Sequence, residues 1–366
     1  MRLKNILKVV FFVLLALVVG LFGLIFFKEF VVKKKIPVNT VDKKPSASAP
    51  DERLNIKWGV GLNLFALHIL PGDRLTDWTI AKPQIDLAKE LGVSYVRIGI
   101  PDWAMNRQDE LFLPAMRYIR SKGLHIVLGF DPTEGNPTKM GSKDRFKDGY
   151  KWGNEIATRY KGLVEYYQLS NEVTGTAMKP SWSGISEESF DQDKYKQILD
   201  WLKGASTGVG EADPEAKRVV TGHWLGFGFF DMAIRDGLEF EVIGWDWYGK
   251  DPDITNVKSD NKIYNIGDEL SKFGKELWIS ETNYESGSRD GEDKQADYLS
   301  EFASNVIKDK RFSGFFPLYL TDVPTILRVD NHDGLVDVVI SADKSVAIGH
   351  KKRAYYEYRK IINDAL

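Results

Sequence analysis

The stretch Tyr166-Tyr167-Gln168-Leu169-Ser170-Asn171-Glu172 begins as a strand-like run and ends in polar residues. A second stretch, Leu277-Trp278-Ile279-Ser280-Glu281, ends in the same way. Short apolar runs that give way to loop residues are typical of buried strands in parallel sheets. Each of the two glutamates therefore follows a strand directly, at the end where parallel strands present functional side chains.

Eight such apolar runs occur along the chain, and stretches with helical period lie between them. The runs cover residues 58–63, 95–100, 125–130, 166–170, 218–222, 242–247, 277–280 and 314–319. Two helical stretches, residues 82–91 and 110–122, are closed by Gly92 and Gly123, which is a common way for a helix to end. Eight alternations predict an α/β fold of the (β/α)8 TIM barrel type over residues 55–366.

The alternative α/β arrangement is a doubly wound open sheet. It requires a glycine-rich phosphate turn after an early strand. The segment Gly59-Val60-Gly61-Leu62-Asn63-Leu64 lacks the third glycine of that motif. The number and rhythm of the strands therefore favour the barrel.

The first part of the chain differs from the rest in composition. No charged residue occurs from Val9 to Phe27, and about 20 apolar residues suffice to span a bilayer as a helix. This predicts an N-terminal transmembrane anchor over residues 1–32, followed by a flexible linker over residues 33–54 rich in Lys, Pro, Ser and Ala. The alternative is a cleaved signal peptide, with the small residues 46–49 as a cleavage site. Basic residues flank both ends of the apolar run, so charge does not set its orientation.

Charge and cysteine content exclude several classes of function. Residues 1–50 hold 9 of the 50 basic and 2 of the 52 acidic residues, so the remainder carries a net charge of −9. An acidic domain is poorly suited to nucleic acid, which binds basic surfaces. The chain has no cysteine, which excludes disulfides and thiolate chemistry. The five histidines show no metal-ligand spacing, so no metal site is expected.

A pair of carboxyl groups at one rim of a barrel is suited to glycoside hydrolysis. One group protonates the departing oxygen, and the other attacks the anomeric carbon or activates water. The dipeptide Asn171-Glu172 is not informative by itself, because a second copy, Asn154-Glu155, lies in a helical stretch. Its position after a strand distinguishes Glu172.

The strand ends at Asn171-Glu172 and Ser280-Glu281 together resemble those of glycoside hydrolase clan A, which includes cellulase, galactanase and β-xylosidase-type families. The resemblance extends over residues 58–319 but is specific only at these two strand ends. It implies that Glu172 is the acid/base and Glu281 the nucleophile of a retaining mechanism.

The same resemblance implies roles for three further residues. Arg97 corresponds to the arginine that keeps the nucleophile ionised, and Asn171 to the residue that bonds the sugar 2-hydroxyl. Tyr248 corresponds to the tyrosine that orients the nucleophile. Several clan families have a histidine two residues before that tyrosine, but this chain has Asp246 there.

Other polar and aromatic residues are candidates for lining a substrate cleft. Asp131 and His223 lie at the ends of the third and fifth strands. A tryptophan commonly ends the eighth strand in the clan, but here the aromatic residues are Phe315, Phe316 and Tyr319. A sugar platform must therefore come from another ring, and the candidates are Trp103, Trp224 and Trp247.

These features predict a membrane-tethered retaining glycosidase that acts on a β-linked polysaccharide or oligosaccharide without a cofactor. We expect a single-pass membrane protein whose barrel domain lies outside the cytoplasm. We expect the two carboxyl groups ~5–5.5 Å apart. We also expect repulsion from Glu281 to raise the pKa of Glu172. A noncatalytic glycan-binding or scaffolding protein and a transglycosylase are the alternatives.

Overall fold

The computed structural model describes residues 56–64, 78–100, 108–132, 136–140, 144–323, 329–342 and 346–365. The predicted anchor and linker lie outside these ranges, as does Trp103. Within the ranges, no helix combines the length and the apolar character that a bilayer crossing needs. The transmembrane anchor therefore stays a prediction from sequence.

Eight parallel strands close into a barrel. They are β1 Lys57–Gly61, β2 Tyr95–Ile100, β3 His125–Phe130, β4 Tyr166–Leu169, β5 Lys217–His223, β6 Val242–Gly249, β9 Glu276–Tyr284 and β10 Phe312–Pro317. Their order around the barrel is β1-β10-β9-β6-β5-β4-β3-β2. Trp58 pairs with Phe315, so the first and last barrel strands are neighbours. This closure confirms the predicted barrel and excludes the open sheet.

Helices surround the barrel and connect its strands. They are α1 Trp78–Leu91, α2 Gln108–Ser121, α3 Arg145–Tyr160, α4 Gln192–Ala212, α5 Phe227–Arg235, α6 Ile266–Ser271, α7 Glu292–Asp309 and α8 Arg353–Ala365. Gly92 and Gly123 have φ values of 94° and 71°, in the left-handed region that ends a helix at glycine. Both predicted helices are therefore confirmed.

Two small sheets were not predicted from the sequence. One is the hairpin of β7 Val257–Ser259 and β8 Lys262–Tyr264. The other consists of β11 Tyr319–Thr321, β12 Gly334–Ile340 and β13 Val346–Lys351. The predicted eighth strand, which was expected to reach Tyr319, ends at Pro317. Tyr319 instead pairs with Gly334 in the second small sheet.

The interior of the barrel holds a ring of buried apolar side chains. Its buried members come from six strands: Val127, Tyr166, Val219, Val242, Trp278 and Phe316. Phe316 stacks on Trp278 with ring centroids 5.4 Å apart. Gly59 faces this ring, because a Cβ there would lie 2.1 Å from Phe316. The site lies at the carboxyl ends of the strands, here called the barrel mouth.

Candidate active site

Glu172 lies in a sharp turn directly after β4. Ser170 and Glu172 both have left-handed backbone conformations, with φ values of 70° and 46°. Such conformations are unfavourable for residues other than glycine and are concentrated at functional sites. The Glu172 amide donates to Thr221 Oγ1 at 2.9 Å. Thr221, on β5, therefore holds the turn that brings Glu172 to the barrel mouth.

Asp131 supports the same turn from β3. One of its oxygens accepts from Ser170 Oγ and from the Asn171 amide, both at 2.8 Å. The sequence placed Asp131 among the substrate-binding candidates. In the structure its contacts fix the loop that carries Asn171 and Glu172.

Arg97 contacts both Glu281 and the turn after β4. Its Nη2 lies 2.5 Å from Glu281 Oε1 and donates to Asn171 Oδ1 at 2.7 Å. Its Nε donates to Gln168 Oε1 at 2.6 Å. Three contacts on one planar guanidinium fix both its position and its orientation. Arg97 therefore links Glu281 on β9 with Asn171 after β4.

Gln168 was not among the candidates from sequence. It is buried on β4, and its Nε2 donates to Asn171 Oδ1 at 3.0 Å. The signal was available, because an amide within an otherwise apolar strand needs buried partners. Asn171 Oδ1 thus accepts from both Arg97 and Gln168, which leaves the Nδ2 group of this exposed residue available to a ligand.

Glu281 is almost enclosed by protein. Its side chain is 7% exposed. Tyr248 donates its hydroxyl hydrogen to Oε2 at 2.8 Å, and Arg97 contacts Oε1. Burial together with the Glu281 charge raises the pKa of Tyr248 well above its ordinary value, so the phenol remains a hydrogen-bond donor. Each oxygen of Glu281 therefore has one fixed partner.

Glu172 has a different environment. Its side chain is 36% exposed, and Oε1 lies 3.3 Å from Nδ1 of His223 at the end of β5. The ring N–H is not aligned for a hydrogen bond, so the contact is an ion pair rather than a directed bond. Gly175 makes room for this ring, since a Cβ there would lie 2.4 Å from His223 Cε1. The sequence placed His223 near the cleft but did not predict its contact with Glu172.

The pKa shifts of the two glutamates are opposite to the prediction from sequence. Burial, reinforced by the charge of Glu172, raises the pKa of Glu281 despite the opposing effect of Arg97. Burial also acts to raise the pKa of Glu172, but His223 and Arg97 outweigh it and lower that pKa. The expected rise for Glu172 was wrong because the sequence did not show that His223 lies beside it.

The aromatic candidates have separate positions. Trp224 and Trp247 are stacked with centroids 5.5 Å apart and planes 8° from parallel. Trp247 is buried, whereas Trp224 is 43% exposed and has a φ of 52°. Trp224 therefore covers one face of Trp247 and offers its own outer face to solvent. Tyr319 is half-buried on β11, close enough for its hydroxyl to influence the pKa of Arg97.

The contact between His223 and Glu172 leads to a testable expectation about the pKa of His223. The pKa of His223 is raised above 6.5, first by its contact with Glu172 and against the effect of burial. We expect NMR titration of the His223 ring to give a value above 6.5, and Glu172→Gln to lower it, because the amide cannot stabilise an imidazolium. The stabilisation by this pair is present below pH 6.5 and is lost as pH rises through the higher folded-state value.

The control for this titration is His350, which contacts Glu292 and Asp337 and does not contact Glu172. Its titration should not change in Glu172→Gln. A His223 pKa that is the same in both proteins would show that the two side chains do not interact.

No protein-family model matches the chain, and no curated protein is significantly similar to it in sequence. Solved structures do share its fold. Xylanase 10B from Thermotoga maritima is 15% identical, with a TM-score of 0.55 over 86% of this chain and 96% of that one. A β-glucosidase from Thermotoga maritima in complex with cyclophellitol is 13% identical, with a TM-score of 0.59 over 85% and 98%.

A family 39 glycoside hydrolase from Bacteroides cellulosilyticus WH2 is also similar, at 14% identity and a TM-score of 0.54 over 86% of this chain and 65% of that one. Identities at this level establish a common fold and leave the chemistry to the site. The predicted resemblance to clan A glycoside hydrolases is thereby confirmed at the level of fold: the chain has the eight-stranded parallel barrel of those enzymes.

Proposed function

We propose that the protein is a retaining glycoside hydrolase that acts on a β-linked polysaccharide or oligosaccharide. The observation that carries the proposal is the unequal environment of two acids at the barrel mouth, where Arg97 contacts Glu281 and Asn171, the neighbour of Glu172. Glu281 is enclosed and held at both oxygens, as suits a nucleophile. Glu172 is more exposed and lies beside an ionisable histidine, as suits a group that exchanges protons.

The reaction would proceed in two displacements. A Glu281 oxygen attacks the anomeric carbon while the bond to the leaving oxygen breaks, and Glu172 gives its proton to that oxygen. In the second step Glu172 takes a proton from water, and the water oxygen displaces Glu281 from the anomeric carbon. Asn171 Nδ2 would donate to a sugar hydroxyl beside the reacting carbon. Interception of the intermediate by a sugar instead of water would give transglycosylation with the same residues.

His223 offers a source for the proton that Glu172 needs. In the free protein the lowered pKa of Glu172 and the raised pKa of His223 favour a carboxylate beside an imidazolium. Binding of a sugar removes water from this pair and disfavours separated charges. Transfer of the proton from Nδ1 to Oε1, now 3.3 Å apart, would then leave Glu172 protonated and His223 neutral.

The substrate side of the proposal rests on the barrel mouth. Trp224 follows His223 directly in the chain, stacks on Trp247 and presents an exposed ring. Such a face suits the C–H-rich side of a sugar ring. The connection between β4 and α4, residues 170–191, is long, and a long connection at the barrel mouth favours an open cleft and cleavage within a polymer. Two structures that share the fold are complexes, a xylanase 10B from Thermotoga petrophila RKU-1 with xylobiose and the β-glucosidase with cyclophellitol, which supports a carbohydrate ligand here.

The proposal is tested by incubating the full-length protein in detergent with β-glucans, mannans, galactans and surface polysaccharides, with Glu281→Ala as the blank. We expect one class to be cleaved, the polymer size to fall early, and NMR to detect the β-anomer as the first product, because two inversions give net retention. A first product of α configuration would exclude the two-step mechanism. Release of sugar without loss of polymer size would exclude internal cleavage.

Absence of cleavage across the panel, combined with glycan binding that Glu281→Ala does not alter, would favour the noncatalytic alternative. The expected effect of Glu281→Ala on a true substrate is complete loss, so the two outcomes differ clearly.

The proposed location follows from residues 1–54, whose composition supports a single-pass anchor and a tether. We infer that the barrel acts outside the cytoplasm at the cell membrane. Protease added to intact cells should then remove the barrel from the membrane fraction. A barrel protected in intact cells, or recovered without its first 50 residues, would contradict the inference.

A further inference from the structure

Asp246 is a buried acid that the proposed reaction does not use. It lies on β6 and is 1% exposed. Its Oδ1 accepts from Ser280 Oγ at 2.6 Å, and no described residue donates to its Oδ2. Burial of an ionised carboxylate with one oxygen unpartnered is costly, whereas the neutral acid avoids most of that cost.

The charges around Asp246 favour the same state. The titratable groups that face it are Arg97 on β2, Glu172 after β4, His223 on β5, and Tyr248 and Glu281 on β6 and β9. Each of the two cations is in contact with another carboxylate, because Arg97 contacts Glu281 and His223 contacts Glu172. Asp246 is the third acid, and no cation of the described residues is in contact with it. Burial, together with the charges of Glu281 and Glu172, raises its pKa well above the ordinary value.

The bond to Ser280 spans an irregularity in the sheet. Trp245 pairs with Ile279, whereas Asp246 pairs with Glu281, so Ser280 is an extra residue in β9. Such bulges bend a strand and re-aim side chains, and they are frequent beside active sites.

The extra residue changes which way Glu281 points. Trp278 belongs to the ring inside the barrel, and successive side chains of a strand alternate in direction. A regular β9 would place Ser280 inside the barrel and Glu281 outside, among the helices. With Ser280 as the extra residue, Glu281 also faces inward, where it contacts Arg97 and Tyr248.

The space for Ser280 is provided by a glycine on β6. A Cβ at Gly244 would lie 2.4 Å from Ser280 Oγ. The hydroxyl therefore occupies a position between Gly244 and Asp246, and Asp246 is its hydrogen-bond acceptor.

We propose that Asp246 is a positioning residue, held as a neutral carboxylic acid, whose bond to Ser280 fixes the extra residue that turns Glu281 into the barrel mouth. The proposal rests on the proposed function only where it concerns the reaction of Glu281. A neutral Asp246 does not compete with Glu281 for the positive charge of Arg97. An ionised Asp246 would compete for that charge.

The test compares two substitutions at one position. Asp246→Asn has the shape of the neutral acid and keeps an acceptor for Ser280. Its kcat/KM should stay within about threefold of the unmodified protein, and the acidic limb of the pH profile should not move. Asp246→Ala removes the acceptor, and kcat should fall on the order of 10²-fold with little change in KM. Ser280→Ala should behave like Asp246→Ala.

Two results would overturn the proposal. If Asp246 were ionised, Asp246→Asn would remove a negative charge beside Glu281, lower the Glu281 pKa and move the acidic limb to lower pH. If Asp246→Ala and Ser280→Ala both kept full kcat, the bond between these residues would have no positioning role.

Measurements that need no catalytic turnover test this proposal independently of the proposed function. Carbon-13 NMR of labelled aspartate carboxyls, assigned by the signal lost in Asp246→Asn, should show a group that stays protonated at pH values where ordinary aspartates are ionised. Crystals of Asp246→Ala should show Glu281 displaced from Arg97. A titrating signal, or an unmoved Glu281, would contradict the proposal even if glycosidase activity were established. The expected results would support it even if no sugar were cleaved.

Discussion

Glu281→Gln is expected to lose activity on every substrate, on the order of 10⁵-fold, because the attacking carboxylate is removed whatever the leaving group. Glu172→Gln should behave differently. With dinitrophenyl glycosides, which depart without a proton, its kcat/KM should fall only roughly tenfold, whereas with natural substrates it should fall about 10²–10⁴-fold. Its kcat should fall with both, because hydrolysis of the intermediate needs the base.

The matched control is Glu155→Gln. Glu155 follows Asn154 as Glu172 follows Asn171, but it lies in α3 and makes an ion pair with Arg159. Its substitution should leave activity unchanged. Equal losses for Glu172→Gln and Glu281→Gln on both kinds of substrate would contradict the assigned roles.

Azide gives a second measure of the same assignment. In Glu172→Ala, azide can enter the vacated space and attack the glycosyl intermediate, which gives a product with the configuration of the substrate. In Glu281→Ala, azide replaces the nucleophile itself and gives the inverted product. Azide products with the opposite configurations would exchange the roles of the two residues.

Arg97→Met should produce the next largest effect. The Arg97 charge acts against burial to lower the pKa of Glu281, so its removal raises that pKa. Ionised Glu281 is then lost at a higher pH as the solution is acidified. We expect the acidic limb of kcat/KM to move to higher pH. We also expect a loss on the order of 10²-fold near neutrality, because Asn171 and Glu281 lose a shared partner.

Two further arginine variants complete this test. Arg97→Lys keeps a charge but cannot make all three contacts, so its acidic limb should lie near that of the unmodified protein while kcat falls. Arg235, the last residue of α5, makes an exposed ion pair with Glu187, which Arg235→Met removes. This substitution should change neither the acidic limb nor kcat. An acidic limb that stays fixed in Arg97→Met would show that Arg97 does not set the ionisation of Glu281.

Much of the barrel was accessible to sequence reasoning because its signals are local. Each strand is a short apolar run, and each of the two predicted helices ends at a glycine with positive φ. The small sheet of β11, β12 and β13 was missed because its strands are short or partly exposed and lack a strong alternating pattern. Tyr319 was assigned to the barrel for the same reason.

Sequence reasoning alone established that Glu172 and Glu281 belong to the fourth and seventh strands of a barrel, since strand order along the chain fixes which strand ends share a mouth. It predicted that Glu281 follows its strand, but β9 continues to Tyr284 and Glu281 lies within it. The electrostatic states of the two acids depend on tertiary contacts. His223 approaches Glu172 from β5, and the extra residue Ser280 turns Glu281 inward toward Arg97. These contacts join residues about 50 to 180 positions apart, and pKa values depend on such neighbours and on burial, which no local pattern encodes.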